Sequence, residues 1–114
     1  MLNGVLSIIY SEGVDIPMVV ENYVKVAGLL HFIKGHMEDQ NQLGKYVHFS
    51  IRQDTQCSDG RVRHDFLVMR AYDRDIMEWV KVQKEGSPVR VEGEAKSSLG
   101  SGEMYILVKK IDSI

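Results

Sequence analysis

The chain has 114 residues, 44% hydrophobic and 26% charged, the balance of a soluble globular protein large enough to bury a modest core without staples. Fourteen Lys and Arg against sixteen Asp and Glu give a net charge of −2 and a pI near 6.1, which argues against a protein that coats a polyanion through bulk charge. A single cysteine, Cys57, excludes an internal disulfide. The apolar run GVLSIIY near the start has no cationic flank or cleavage site and is too short to span a bilayer, so a cytoplasmic location without membrane association is expected.

Apolar residues recur with period two over most of the length, which predicts strands. Residues 1 to 21 form an N-terminal extension of one or two strands, split by a turn at Ser11-Glu12-Gly13. NYVKVAGLLHFI, residues 22 to 33, is the first long strand. Val24, Val26, Gly28, Leu30 and Phe32 share one face, and Lys25, Ala27, Leu29 and His31 the other. Gly28 inside this strand marks a bend or a close backbone approach. Residues 34 to 45 are polar without period and read as a loop. In YVHFSIRQ, residues 46 to 53, Val47, Phe49 and Ile51 point inward, and Tyr46, His48, Ser50 and Arg52 outward. A turn at Asp59-Gly60 then leads to HDFLVMRAY, residues 64 to 72.

That last strand has no clean polar side. Leu67, Met69 and Ala71 make one apolar face, yet the face that carries Arg70 also carries Phe66 and Tyr72. Residues 73 to 86 are the one helical stretch. Asp75 and Glu78 fit a capping pair, Ile76, Trp79 and Val80 form an apolar stripe, and Gly86 is placed to end the helix. Trp79 and Met69 read as core. Two more strands follow, residues 87 to 96, with Val89, Val91 and Gly93 on one face, and residues 104 to 114, separated by the flexible tip SSLGSGE.

Strand, strand, strand, helix, strand, strand is the order of an OB-fold, a five-stranded Greek-key barrel with one helix between strands 3 and 4. The residues sharpen this. Asn22, Val24, Val26, Gly28 and Leu30, then DFLVMRAYDRDIMEWV, then KEGSPVRVEGE at residues 84 to 94, resemble three segments of the bacterial-type single-stranded DNA-binding protein family, including its primosomal and phage or mobile-element relatives. The resemblance covers residues 22 to 114, and 21 residues precede the position where family members begin. It implies an all-β OB-fold domain at 22 to 114, single-stranded DNA as partner, a homodimer or homotetramer, and replication or primosome proteins as further partners.

Single-strand binding needs flat rings for bases and cations for phosphates, close together on an exposed sheet. Position in the family and strand parity both select Phe66, Arg70 and Tyr72. The adjacent strand adds Tyr46, His48 and Arg52. Arg63 beside the turn, Lys25 and His31 on the first strand and Lys96 near the flexible tip complete the candidate set. Two readings of the outward rings stand at this point: base stacking, or packing under the N-terminal extension. A second functional class also stands, an OB-fold assembly module whose outward rings meet protein, and the acidic balance favours it. No enzymatic activity, metal or cofactor is expected, because the four histidines and Cys57 have no ligand spacing and there is no nucleophile motif.

Overall fold

Inward-facing Val, Ile, Leu and Phe at every second position drive most of the chain into strands. The computed structural model describes residues 6–10, 17–33 and 37–114. β1 (Leu6–Tyr10) and β2 (Pro17–Glu21) form an antiparallel hairpin that is a sheet of its own, with Tyr10 opposite Pro17. The expected turn at Ser11-Glu12-Gly13 lies outside the described residues. The remaining strands are β3 (Val24–His31), β4 (Glu38–Asn41), β5 (Gly44–Gln56), β6 (Val62–Ala71), β7 (Pro88–Ser97) and β8 (Met104–Ser113). They form one sheet in the order β3-β7-β8-β6-β5-β4, closed into a barrel because β3 also pairs with β5. Among the described strands only β6 and β8 run parallel. The helix α1 (Arg74–Lys81) lies between β6 and β7, which makes β3, β5, β6, β7 and β8 the five strands of an OB-fold.

Two close backbone approaches in the barrel require a glycine. β3 pairs with β7 from Val24 to Leu29 and with β5 from Leu29 to His31, so one strand serves two parts of the sheet. At Gly28, where the change occurs, an added Cβ would lie 2.4 Å from the Arg52 carbonyl oxygen. At Gly93, opposite a bulge at Lys109 of β8, an added Cβ would lie 2.0 Å from the Leu107 carbonyl oxygen.

The interior holds Leu30, Val47, Phe49, Ile51, Met69, Ala71, Val80, Val89 and Val91, all fully buried, with Val108 nearly so. Apart from Val108, these are the inward faces expected from alternation, plus Val80 of the helix. Ile76 and Trp79 pack partly buried against the same core.

The structure differs from the sequence-based expectations at several boundaries. Residues 34 to 45 are not all loop: Glu38–Asn41 pairs with Gly44–Val47 as a hairpin arm. That strand is polar throughout because it lies at the sheet edge with no core to face. β5 and β6 pair outward as far as Gln56 and Val62, with Cys57 N–H donating to the Arg61 carbonyl across the turn. Arg63, expected beside the turn, therefore sits on the strand. The helix is shorter than 73 to 86 and capped by Asp73, whose carboxylate accepts from Ile76 N–H at 3.1 Å, not by Asp75. It ends at Lys81, whose ammonium bonds the Glu38 carboxylate, tying helix to hairpin. Gly86, with φ of +84°, serves the following turn. Ser50, expected outside, is buried because its small side chain is in register with His31 on one side and Val68 on the other.

Gly93→Ala is expected to lower stability by about 1–3 kcal/mol, since backbone rather than a movable side chain must give way. Gly100→Ala, which meets nothing within 4 Å, is the control. Urea denaturation midpoints with unchanged slope check both, and equal midpoints would remove Gly93 from the closure.

Candidate nucleic-acid interface

Two adjacent long strands give the protein an outward ribbon. Along β5 and β6 the outer side chains meet in register: Asp54 with His64, Arg52 with Phe66, Ser50 with Val68, His48 with Arg70. Tyr46 and Tyr72 extend the series, their ring centroids 5.1 Å apart. Successive rows lie two residues apart, about 7 Å along the strands.

Phe66 is half exposed, at 49%, and its ring stands 4.9 Å from that of His31 on β3 at an angle of 60°. A pair of flat rings is thus open to solvent on the barrel wall. Glu85 fixes His31 from below, with Oε2 3.0 Å from the histidine Nδ1 and Oε1 accepting from Phe32 N–H at 2.8 Å. That backbone donor, and then His31, hold the Glu85 carboxyl below its ordinary value. Arg52 lies beside Phe66, its Nε donating to Asp54 Oδ1 at 2.9 Å. His64 Nδ1 is 2.6 Å from the same oxygen, and His64 and Arg52 together lower the Asp54 carboxyl.

The other end of the ribbon is closed. Tyr46 is only 8% exposed, so it offers no open stacking face, contrary to the sequence-based expectation. Its neighbours cover it: Tyr72 lies against one part of the ring, and the Arg70 guanidinium is 5.1 Å from its centroid. Arg70 is not a free cation either. Its guanidinium carbon stands 4.1 Å from the centre of the Tyr105 ring, so it bridges β5 and β8 as a cation between two rings. Tyr72, just past the end of β6, is half-buried, and its hydroxyl accepts from Asn41 Nδ2 at 2.9 Å. His48 is half-buried beside Tyr46, its backbone N–H donating to the Met37 carbonyl.

Beyond this closed end lies a groove of about 600 Å³ between two hairpin tips, lined by Leu43, Tyr72, Lys96, Leu99, Tyr105 and Lys109 among others. Leu43 and Leu99 are 71% and 94% exposed. Neither leucine, nor Tyr105, was singled out from sequence. The available signal was a lone leucine before glycine in each of two polar loops, QLG and SLG. Lys96 is in the groove wall, 3.9 Å from Glu94.

Of the predicted residues, the structure brings Phe66, Arg52 and His31 together, and Tyr72 and Lys96 separately. Arg63 is exposed further out on β6, bonded to Asp65. Lys25 is not brought to either group: it lies in register with Glu92 at the far end of β3 from His31. Among the described residues no group of three or more His, Cys, Asp or Glu is arranged to hold a metal, and no helix is long and apolar enough to cross a membrane.

No protein-family model and no curated protein matches this chain. Solved structures do. The small single-stranded DNA-binding protein of Streptomyces coelicolor is 16% identical with a TM-score of 0.61, covering 81% of this chain and 90% of that one. The mitochondrial single-stranded DNA-binding protein Rim1 of S. cerevisiae is 16% identical at 0.61, with 81% and 92% covered. A small single-stranded DNA-binding protein of Mycoplasma pneumoniae is 17% identical at 0.58, with 81% and 92% covered. The fold is the OB-fold of these proteins. In this OB-fold, the exposed ring pair lies on the β5–β6 wall and the groove between the two loop tips.

The sign of the Glu85 contribution follows from its lowered pKa. The stability it adds is complete above its ordinary value of 4.5 and is lost as the pH falls through the lowered one. Between pH 5 and 3, wild type should therefore lose more stability than Glu85→Gln, measured by urea midpoints at each pH. Identical losses would show that Glu85 has no part in the acid transition.

Proposed function

We propose that this chain is a non-enzymatic protein that binds single-stranded DNA with little sequence preference, in replication, repair or recombination in the cytoplasm. The observation that carries the reading is the open Phe66 ring, tilted against His31 and flanked by Arg52, on an OB-fold whose solved neighbours are single-stranded DNA-binding proteins. A base stacks on Phe66 because every base has a flat face, and this gives affinity without sequence readout. Its phosphates take Arg52 and His64 away from Asp54. Where the strand continues over the closed end, Lys96 and Lys109 meet it in the groove between Leu43 and Leu99. Arg70 and Tyr46 support that path from beneath and do not contact it. Replication or primosome proteins are the expected further partners.

The second reading, an assembly module with weak or no DNA binding, is favoured by one observation. The arginines of the ribbon, Arg52, Arg61 and Arg63, each pair with an aspartate, so the surface is not strongly basic.

Fluorescence anisotropy with labelled oligo-dT at low and moderate salt separates the two. The DNA reading expects binding at low salt that weakens as salt rises, because phosphate contacts release counterions. No binding at low salt would sink it. Phe66→Ala should weaken binding by about 1–3 kcal/mol while the fold is retained. Asp54→Asn should tighten binding several-fold, since it frees Arg52 and His64 and removes a negative charge beside the strand. Unchanged affinity in both variants would place the contact elsewhere.

A further inference from the structure

Phe66 has two histidines for neighbours. His31 of β3 places its ring 4.9 Å away, and His64 precedes Phe66 by two residues on the same face of β6. Each imidazole meets a carboxylate through Nδ1, His31 that of Glu85 at 3.0 Å and His64 that of Asp54 at 2.6 Å. Both side chains are partly open to water, at 38% and 48%. From β5, Arg52 faces the same cluster, with Nε 2.9 Å from Asp54 and Nη2 3.5 Å from His64 Nδ1. Arg63 and Asp65, on the opposite face of β6, pair with each other. Among the described residues, Glu85, Arg52 and Asp54 are thus the charged groups that meet the two histidines from the turn before β7 and from β5.

The local charge turns on the imidazoles. With both neutral, one arginine stands against two carboxylates and the surroundings of Phe66 carry −1; with both protonated they carry +1. An imidazole changes charge between about pH 5 and 8, and the two carboxyls do not follow it. Phe32 N–H, and then His31, hold Glu85 below its ordinary value, and His64, then Arg52, do the same for Asp54. Protonation also gives each ring a second N–H, a donor for a phosphate oxygen whichever partner Nδ1 keeps. A phosphate beside Phe66 therefore meets net repulsion when both rings are neutral and net attraction when both are charged.

We propose that His31 and His64 gate the open ring site by protonation, so that single-stranded DNA binds more tightly as the pH falls from 8 to 5.5. The gate rests on the single-strand binding proposed above, and its test separates the two. Labelled oligo-dT, whose bases and phosphodiesters keep their charge across this range, is titrated by anisotropy at fixed low salt and several pH values. Wild type should bind several-fold more tightly at pH 5.5 than at pH 8. The log–log salt slope should steepen at pH 5.5 by about 0.7 for each histidine that joins a phosphate. His31→Asn and His64→Asn keep an amide donor near the place of Nδ1 and cannot become cations. Each should lose part of the affinity ratio between the two pH values, and the double variant nearly all of it. His64→Lys, a cation by design, should bind more tightly than wild type at pH 8 and show a smaller ratio. It carries the test if circular dichroism shows that an Asn variant fails to fold. Equal wild-type affinity at pH 8 and 5.5 would overturn the gate and leave the DNA reading standing. A double variant that keeps the wild-type ratio would also overturn it, by placing the titrating groups elsewhere. Absence of binding at every pH would instead sink the DNA reading, and the gate with it.

Discussion

The shared pairing of β3 is the constraint on which the rest of the molecule depends. An open sheet of these strands would leave the inner faces of β3 and β5 without cover. Because β3 turns at Gly28 and reaches from β7 to β5, the sheet closes and Leu30, Phe49, Ile51, Met69 and Val91 meet in one interior. The turn requires the β3 backbone to pass so near the Arg52 carbonyl that no side chain fits between. The same closure brings His31 of β3 over the β5–β6 ribbon. The ring pair of His31 and Phe66, drawn from strands far apart in sequence, is a consequence of how the barrel shuts.

Closure also decides which outer rings stay open. Near the shared pairing, the ribbon is overlaid only by His31, and Phe66 remains half exposed. At the other end, β8 approaches β6 in parallel and delivers Tyr105 to Arg70, while the Glu38–Asn41 arm reaches Tyr72 through Asn41. Arg70 lies between two rings, so its alkyl chain and planar head fill space that a lysine would leave loose. Five similar outward rows thus split into an open surface and a packed prop for the groove.

Much of this was legible in the sequence. The inward positions of β3, β5, β6 and β7 follow from period-two alternation, and the order of strands and helix from the Asp59-Gly60 turn and the apolar stripe at Ile76, Trp79 and Val80. What alternation cannot show is who covers an outward residue. Tyr46 and Phe66 have the same parity pattern, yet one is sealed by Arg70 and Tyr72 and the other is not, because cover comes from β8 and from a polar arm with no hydrophobic period. The Glu38–Asn41 strand was invisible for that reason: a strand with no core face carries no periodic signal. The helix cap was misplaced by two residues because Asp73 and Asp75 are chemically equivalent in sequence, and only the path of the chain out of β6 chooses between them.

A chain with net charge −2 offers a polyanion little long-range attraction, and its arginines on the ribbon are already matched by aspartates across or along the strand. Under the proposed function, a strand of DNA therefore exchanges one set of ion pairs for another, and the net electrostatic gain is small for exposed pairs. The gain that remains is the stacking of bases on a ring that water otherwise covers. Under that proposal Phe66, with His31 held by Glu85 beside it, supplies the stacking that the phosphate contacts of Arg52 only supplement. The composition counts every acidic residue alike, whereas the sheet shows Asp54, Asp59 and Asp65 of the ribbon each paired with a neighbouring arginine.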